Sequence, residues 1–287
     1  MAVHKTVGVD IGGTHITAAL VDLEKSTLIA DTLTREDVDA KGDIAAIIRS
    51  WAQGIKHAAG GGKAESVKIG IAMPGPFDYA AGISLMQNQD KYDALYGQNI
   101  KVLLADALQI SPDQLQFTND AACFLQGEAF GGAAIGASRA IGLTLGTGLG
   151  SAFFRDGMAE DAALWRAPFK DGIAEDYLSA RWFLKRYLLL TGREASNVKS
   201  LVELLSSDAQ VQTVLNEFGR HLAEFLLPYI DSENPEVIVI GGNIAQALHL
   251  FQPALQQTLV SEGSNVPVKQ AVLGEEAALI GAASVWK

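Results

Sequence analysis

The chain has 287 residues, of which 48% are hydrophobic and 19% charged, a composition that excludes extensive disorder and suits one large α/β unit or two domains. Twenty-two basic against 33 acidic residues leave a net charge of -11, the wrong sign for tracking a nucleic-acid backbone, so nucleic acid is not an expected partner. No apolar run is long enough to span a membrane, residues Met1 to Lys5 lack the apolar stretch of a signal peptide, and one cysteine excludes an intrachain disulfide. A cytoplasmic protein is expected, with Cys123 a small buried hydrophobe.

The segment from Val7 to Asp22, VGVDIGGTHITAALVD, has two β-rich arms around Gly12 and Gly13, and TLIADTLT from Thr27 reads as a third strand of a meander. Between Asp43 and His57, the apolar stripe Ile44, Ile47, Ile48, Trp51 and Ile55 predicts a helix, followed by a glycine-rich loop and the buried strand VKIGIAM. An Ala-rich helix is predicted from Asn119 to Phe130. At Ile141 the segment IGLTLGTGLGSAFFRD overlays the first without a gap, matching at Gly8/Gly142, Gly12/Gly146, Ala18/Ala152 and Asp22/Asp156, an offset of 134 residues. The matches fall on the turn glycines and the closing Asp, which argues for an internal duplication. Beyond it come a helix near Tyr177 to Leu190, helices across Leu201 to Ile230, the strand EVIVI, Gly241 and Gly242 with a helix after them, and a final helix in EEAALIGAASVW.

A turn of Gly12 and Gly13 leaves backbone N–H groups free of neighbouring Cβ atoms, able to point at an anion such as a nucleotide phosphate, and Thr14 adds a hydroxyl. Alone such a pair is only a tight hairpin, but Gly146, Thr147 and Gly148 repeat the chemistry in the second half. No Rossmann pattern fits there, because SAFFRDG continues as a strand, and no GxxxxGK[ST] loop occurs. Gly241, Gly242 and Asn243 can let a backbone approach a purine face, or can be a plain strand-to-helix turn. Asp120 reads either as a helix-start carboxylate favoured by the dipole or as the acceptor of a proton from an attacking sugar hydroxyl, with the Asn119 amide on a neighbouring hydroxyl. Asp10 ends the first strand, where it can orient magnesium through water, and Glu175 is a candidate hydroxyl acceptor at a helix start. The five histidines and Cys123 share no metal-ligand spacing, so no zinc site is expected.

In order, DIGGTH, PGPFD, NDAA, TLGTGLGSAFF, IGGN and LGEEAALIGAA resemble the ROK family of sugar kinases, glucokinase-like members of the actin/hexokinase ATPase superfamily. The resemblance spans nearly the whole chain. It implies an α/β fold of two ribonuclease-H-like domains with a cleft between them: a smaller domain of residues 1–117 completed by a C-terminal helix at 275–287, and a larger one of residues 118–274. It further implies phosphorylation of a monosaccharide by ATP with Mg2+, first of all glucose or a related hexose at the 6-hydroxyl, with Asp120 as general base. Asp10, Gly12, Gly13 and Thr14 would meet the phosphates and magnesium, Gly146, Thr147 and Gly148 the phosphates from the other domain, and Gly241, Gly242 and Asn243 the nucleoside. Gly75, Asn88, Asn119 and Glu175 match positions that hold sugar hydroxyls, Asn88 lying in NQDKY where the family has an Asn-Leu stretch. A homodimer is a family expectation.

Family members carry a Glu-x-Gly-His element and a zinc-binding cysteine cluster, and GMAEDAALWRAPFKDGIAEDYLS has neither. Glu160 is a candidate replacement for the lost glutamate. Two rival readings follow: a sugar sensor on the same fold that does not catalyse, and a kinase whose donor is polyphosphate, as in the zinc-free polyphosphate and ATP glucokinases that TLGTGLGSAFFRDG resembles.

Overall fold

The computed structural model describes residues 6–60, 67–88 and 91–287; most of the predicted glycine-rich loop after the first helix lies outside the described residues. The chain divides into two compact units, Met1–Gly132 with Glu275–Lys287, and Ala133–Gly274.

In the first unit, β1 (Thr6–Ile11) and β2 (His15–Asp22) form an antiparallel hairpin, and β3 (Thr34–Asp37) pairs with β2 near the turn. The predicted third arm is therefore split. Its start, Thr27–Leu28, pairs with the far end of β2, and the chain then leaves the sheet at Asp31, whose φ is 60°, while the Thr32 hydroxyl accepts the Leu20 N–H. After α1 (Ile44–Ala58), β4 (Lys68–Met73) lies parallel to β1 and, beyond α2 (Ile100–Leu108), β5 (Leu115–Asn119) lies parallel to β4. The sheet order is thus β3-β2-β1-β4-β5, mixed in direction. Helix α1 forms where predicted because Asp43 caps it, accepting the Ala46 N–H at 2.7 Å, and its stripe of Ile47, Ile48, Trp51 and Ile55 is buried. Each such side chain contributes roughly 1.5–3 kcal/mol of transfer free energy.

The first unit is completed by α3 (Asp120–Gly131) and, from the chain's end, α9 (Glu276–Ser284), which packs on it. The division into compact units runs past the expected boundary at residue 117, with α3 in the first unit. A Cβ at Gly127 of α3 would collide with the Ala277 carbonyl of α9, and one at Gly281 of α9 with the Cys123 carbonyl of α3. Such backbone approach ties the two helices together, with Cys123 fully buried between them and its thiol pushed well up by burial.

The second unit repeats the plan with β6 (Arg139–Leu145), β7 (Leu149–Arg155), β8 (Met158–Asp161), β9 (Val237–Gly241) and β10 (Val268–Gln270), in the order β8-β7-β6-β9-β10. Between β8 and β9 run α4 (Ala174–Tyr177), α5 (Ala180–Thr191), α6 (Val198–Glu203) and α7 (Ala209–Glu233), and α8 (Leu248–Ser261) follows β9. The core joins Phe183 of α5, Phe218 of α7 and Phe251 of α8, with ring centroids 4.3 and 5.1 Å apart. The gapless overlay of the two hairpins holds for β1 and β6 but slips by one residue on the second arm. Ala19 pairs with Gly8, whereas Ala152 pairs with Gly142, so Ala152 corresponds to Ala19 and not to Ala18. The cause is the turn, one residue shorter in the second unit: Ile11 pairs with Ile16, and Leu145 with Leu149.

Candidate active site

Strand β1 delivers Asp10 to its C-terminal end, one pairing step from the turn. Gly12 closes that turn by donating its N–H to the His15 carbonyl at 2.9 Å. Gly13 and Thr14 are exposed, so their N–H groups face solvent or a ligand. The Thr14 hydroxyl lies 3.1 Å from His15 Nδ1, and Arg35 reaches the same nitrogen at 3.5 Å while pairing with Glu275 at 2.8 Å. Behind the turn, the Tyr92 hydroxyl donates to the Gly12 carbonyl at 2.6 Å.

Asp10 is pushed up to about 7, first by burial, then by the charges of Asp120 and Glu275, with Arg35 opposing. Asp120 thus lies within electrostatic reach of Asp10, at the first helical position of α3. The cap of that helix is Asn119: its Oδ1 accepts the Ala121 and Ala122 N–H groups at 2.9 and 3.1 Å, and its Nδ2 donates to the Tyr79 hydroxyl at 3.1 Å. One amide hydrogen of Asn119 is left for a ligand by these bonds. Tyr79 in turn donates to the Met73 carbonyl, and a Cβ at Gly75 would sit 3.3 Å from its hydroxyl. Gly75 and Asn119 are therefore joined through Tyr79. Asn88 stands exposed in the loop beyond, with a φ of 57°.

In the second unit, Gly146 donates to the Gly148 carbonyl at 3.0 Å, and Thr147 is exposed at the tip. Glu175, on α4, holds this turn: one carboxylate oxygen accepts the Leu149 N–H at 3.1 Å, and the other pairs with Arg181 at 2.7 Å. A Cβ at 148 would come within 2.6 Å of the Glu175 carboxylate and force it off the Leu149 N–H. Gly242 has a φ of 82°, and a Cβ on it would collide with the Leu145 carbonyl; Gly241 and Gly242 thus lie against the last residue of β6, and Asn243 opens a short 3-10 helix to Ala247. The phosphate-like turn, the Gly241–Asn243 segment and Glu175 are gathered at one end of this sheet.

Glu160 is not brought there. It stands on β8 opposite Phe153, four residues along β7 from Leu149, or about 13 Å of strand, and lies 3.6 Å from Arg155. The position expected to replace the lost glutamate is thus turned toward the opposite end of the hairpin by strand register. Among the described residues, no group of three or more His, Cys, Asp or Glu side chains is disposed to hold a metal ion. No helix among them is long and apolar enough to cross a membrane. Tyr79, Tyr92, Arg35 and Glu275 are site residues that the sequence reading did not single out, although Tyr92 lies in the quoted NQDKY and Glu275 in LGEEAALIGAA.

Two α/β units with one strand order, each carrying a glycine turn between its first two strands, define an actin/hexokinase-type protein. Residues 6–161 and 170–287 match the ROK family, and the chain belongs to that family. The break between the matched segments falls at residues 162–169, inside the stretch that lacks the Glu-x-Gly-His element. The chain is 28% identical to the glucokinase of Thermotoga maritima, covering 99% of this chain and 97% of that protein. It is 23% identical to the N-acetyl-D-glucosamine kinase of Haemophilus influenzae, covering 97% and 98%. A ROK family glucokinase from Streptomyces griseus, solved in complex with glucose and AMPPNP, shares the fold with a TM-score of 0.75 at 22% identity, covering 98% of both chains.

Proposed function

We propose that the chain transfers the terminal phosphoryl group of ATP to a hydroxyl of a monosaccharide, the 6-hydroxyl of glucose or a related hexose being the first candidate. The observation that carries this reading is the grouping in the first unit of Asp120, Asp10 and the Gly12–Gly13 turn, a proton acceptor within electrostatic reach of the carboxylate beside an exposed glycine turn. Asp120 takes the proton of the attacking hydroxyl as its oxygen bonds to the γ-phosphorus. The bond from that phosphorus to the bridging oxygen breaks, and ADP leaves. Asn119, through its remaining amide hydrogen, and Gly75, beside Tyr79, hold and admit the sugar. On the turn that Gly12 closes, Gly13 and Thr14 offer donors to phosphate oxygens in one unit, and on the turn that Gly146 closes, Thr147 and Gly148 offer theirs in the other. Gly241, Gly242 and Asn243 take the nucleoside.

The residues fit magnesium carried in by the nucleotide: Asp10, pushed up first by burial and then by the charges of Asp120 and Glu275, gains from any added cation, while among the described residues no group of three or more His, Cys, Asp or Glu side chains is disposed to hold the ion alone. Bound there, the ion would neutralise charge on the phosphate oxygens. Support for ATP and glucose comes from the Streptomyces griseus relative, and for an amino sugar as second candidate from the Haemophilus influenzae kinase.

A second reading, a sugar sensor without catalysis, is favoured by the position of Glu160, which leaves the lost glutamate without a replacement at the turn. ADP release measured over a sugar panel with MgATP, then with polyphosphate as donor, separates the readings. Turnover with glucose or N-acetylglucosamine supports the kinase; turnover with polyphosphate alone changes the donor. Sugar binding without turnover from either donor leaves the sensor.

A further inference from the structure

We infer that Lys91 contacts the terminal phosphoryl group of the donor and is a catalytic residue of this kinase, which rests on the reading that the Gly12–Gly13 turn receives the donor's phosphates. The lysine side chain lies over Gly13: its Cδ is 3.7 Å from the place a Cβ on Gly13 would occupy, an ordinary van der Waals separation. The ammonium is two bonds beyond this carbon, which leaves it within reach of a ligand on the exposed Gly13 and Thr14.

The lysine is held there by its neighbour. Tyr92 is fully buried, its ring packed edge-on to Trp51 with centroids 5.2 Å apart. Its N–H donates to the Ala40 carbonyl at 2.7 Å and its hydroxyl to the Gly12 carbonyl at 2.6 Å, so the backbone next to Lys91 is tied directly to the turn. A φ of 59° at Tyr92 turns the chain sharply at this anchor.

The charge balance around the turn gives the ammonium its purpose. Asp120 and Glu275 both bring negative charge to bear on Asp10, and the opposing cation, Arg35, is already paired with Glu275 at 2.8 Å. Among the described residues, no ion pair engages Lys91. A triphosphate entering this negative surroundings needs a cation that is not spent on a carboxylate, and lysine is a compact point charge suited to a phosphate oxygen. Asn88, three residues earlier, matches a family position that holds a sugar hydroxyl, and on that assignment Lys91 belongs to the acceptor end of the donor's phosphates. The phosphate it meets is therefore the one transferred, and its charge is worth most when the three equatorial oxygens carry the developing charge.

The test is calorimetric binding of AMPPNP and of ADP, each with magnesium, to the wild type, Lys91→Met and Lys91→Arg, together with kcat for ADP release. Thermal melting of each variant checks that it is folded. Lys91→Met should weaken AMPPNP by about tenfold or more while leaving ADP within about twofold, lower kcat by about tenfold to a hundredfold, and be partly rescued by Lys91→Arg. Equal effects on the two nucleotides, or no effect on either, would overturn the assignment while leaving the kinase reading intact. A folded wild type that binds neither nucleotide overturns both at once.

Discussion

The hydroxyl of Tyr92 donates to the carbonyl of Gly12 at 2.6 Å, joining two residues 80 positions apart and backing the turn proposed to hold the donor's phosphates. Burial, with the charge of Asp10 adding to it, pushes this hydroxyl up to about 12, so it remains a donor throughout the working pH range. Replacing Tyr92 by Phe keeps the ring against Trp51 and removes only the bond. A loss of about 0.5–1.5 kcal/mol is expected in denaturant unfolding, with a raised KM for ATP and an unchanged KM for sugar. A KM for ATP equal to that of the wild type would mean that the turn does not depend on this support.

Asp120→Asn preserves the shape of the first residue of α3 and removes the proton acceptor. Turnover should fall by roughly 10² to 10⁴ while nucleotide binding stays within about twofold, because general-base catalysis acts in the transition state. The result that sinks the mechanism is near-normal turnover in this variant.

Asp10 predicts a pH dependence of stability in the nucleotide-free protein. Its folded pKa, about 7, lies above its ordinary 3.8, so between these values the folded chain holds a proton that the unfolded chain has released. Stability contributed by this group is therefore complete below about pH 4 and is lost as pH rises to about 7, by an amount on the order of a few kcal/mol. Asp10→Asn should flatten the thermal-melting curve between about pH 4 and about 7 relative to wild type, and MgATP should flatten it in the wild type too. Parallel curves for the two proteins would show that Asp10 is an ordinary ionised carboxylate.

Elements whose pattern repeats locally were legible in the sequence. The stripe of α1, the hairpin around Gly12 and its copy around Gly146 all appear with small errors at their ends, because apolar period and turn glycines are properties of a few adjacent residues. The motif order likewise gave the family. What stayed hidden depends on contacts between distant segments. Gly127 and Gly281 read as ordinary helical glycines until α3 and α9 are seen to touch backbone to backbone, a contact that groups α3 with the first compact unit. Glu160 is a candidate whose spacing from the glycine turn matches the family poorly, and strand alternation and register place it opposite Phe153, away from the turn. Tyr92 and Tyr79 gave no signal of their own, since a tyrosine supporting a loop through one hydrogen bond has the same local sequence as one that merely fills the core.

Glu175 separates two roles that the sequence treated as one. Matching family positions assign it to a sugar hydroxyl, but its carboxylate accepts the Leu149 N–H and pairs with Arg181, both part of the frame around Gly146 to Gly148. A carboxylate has about four lone-pair sites, so a hydroxyl donor can still be accommodated beside these partners. Glu175→Gln keeps an acceptor for Leu149 and weakens the tie to Arg181. Because that tie is a partly exposed ion pair, the stability loss should stay below about 1 kcal/mol. The kinetic outcome then identifies the role: an increase of about tenfold or more in the sugar KM, with the ATP KM unchanged, places a sugar hydroxyl on this carboxylate, since a hydrogen bond to a charged acceptor is worth about 1.5–3 kcal/mol. A rise confined to the ATP KM would instead make Glu175 a brace for the phosphate turn and remove it from the sugar site.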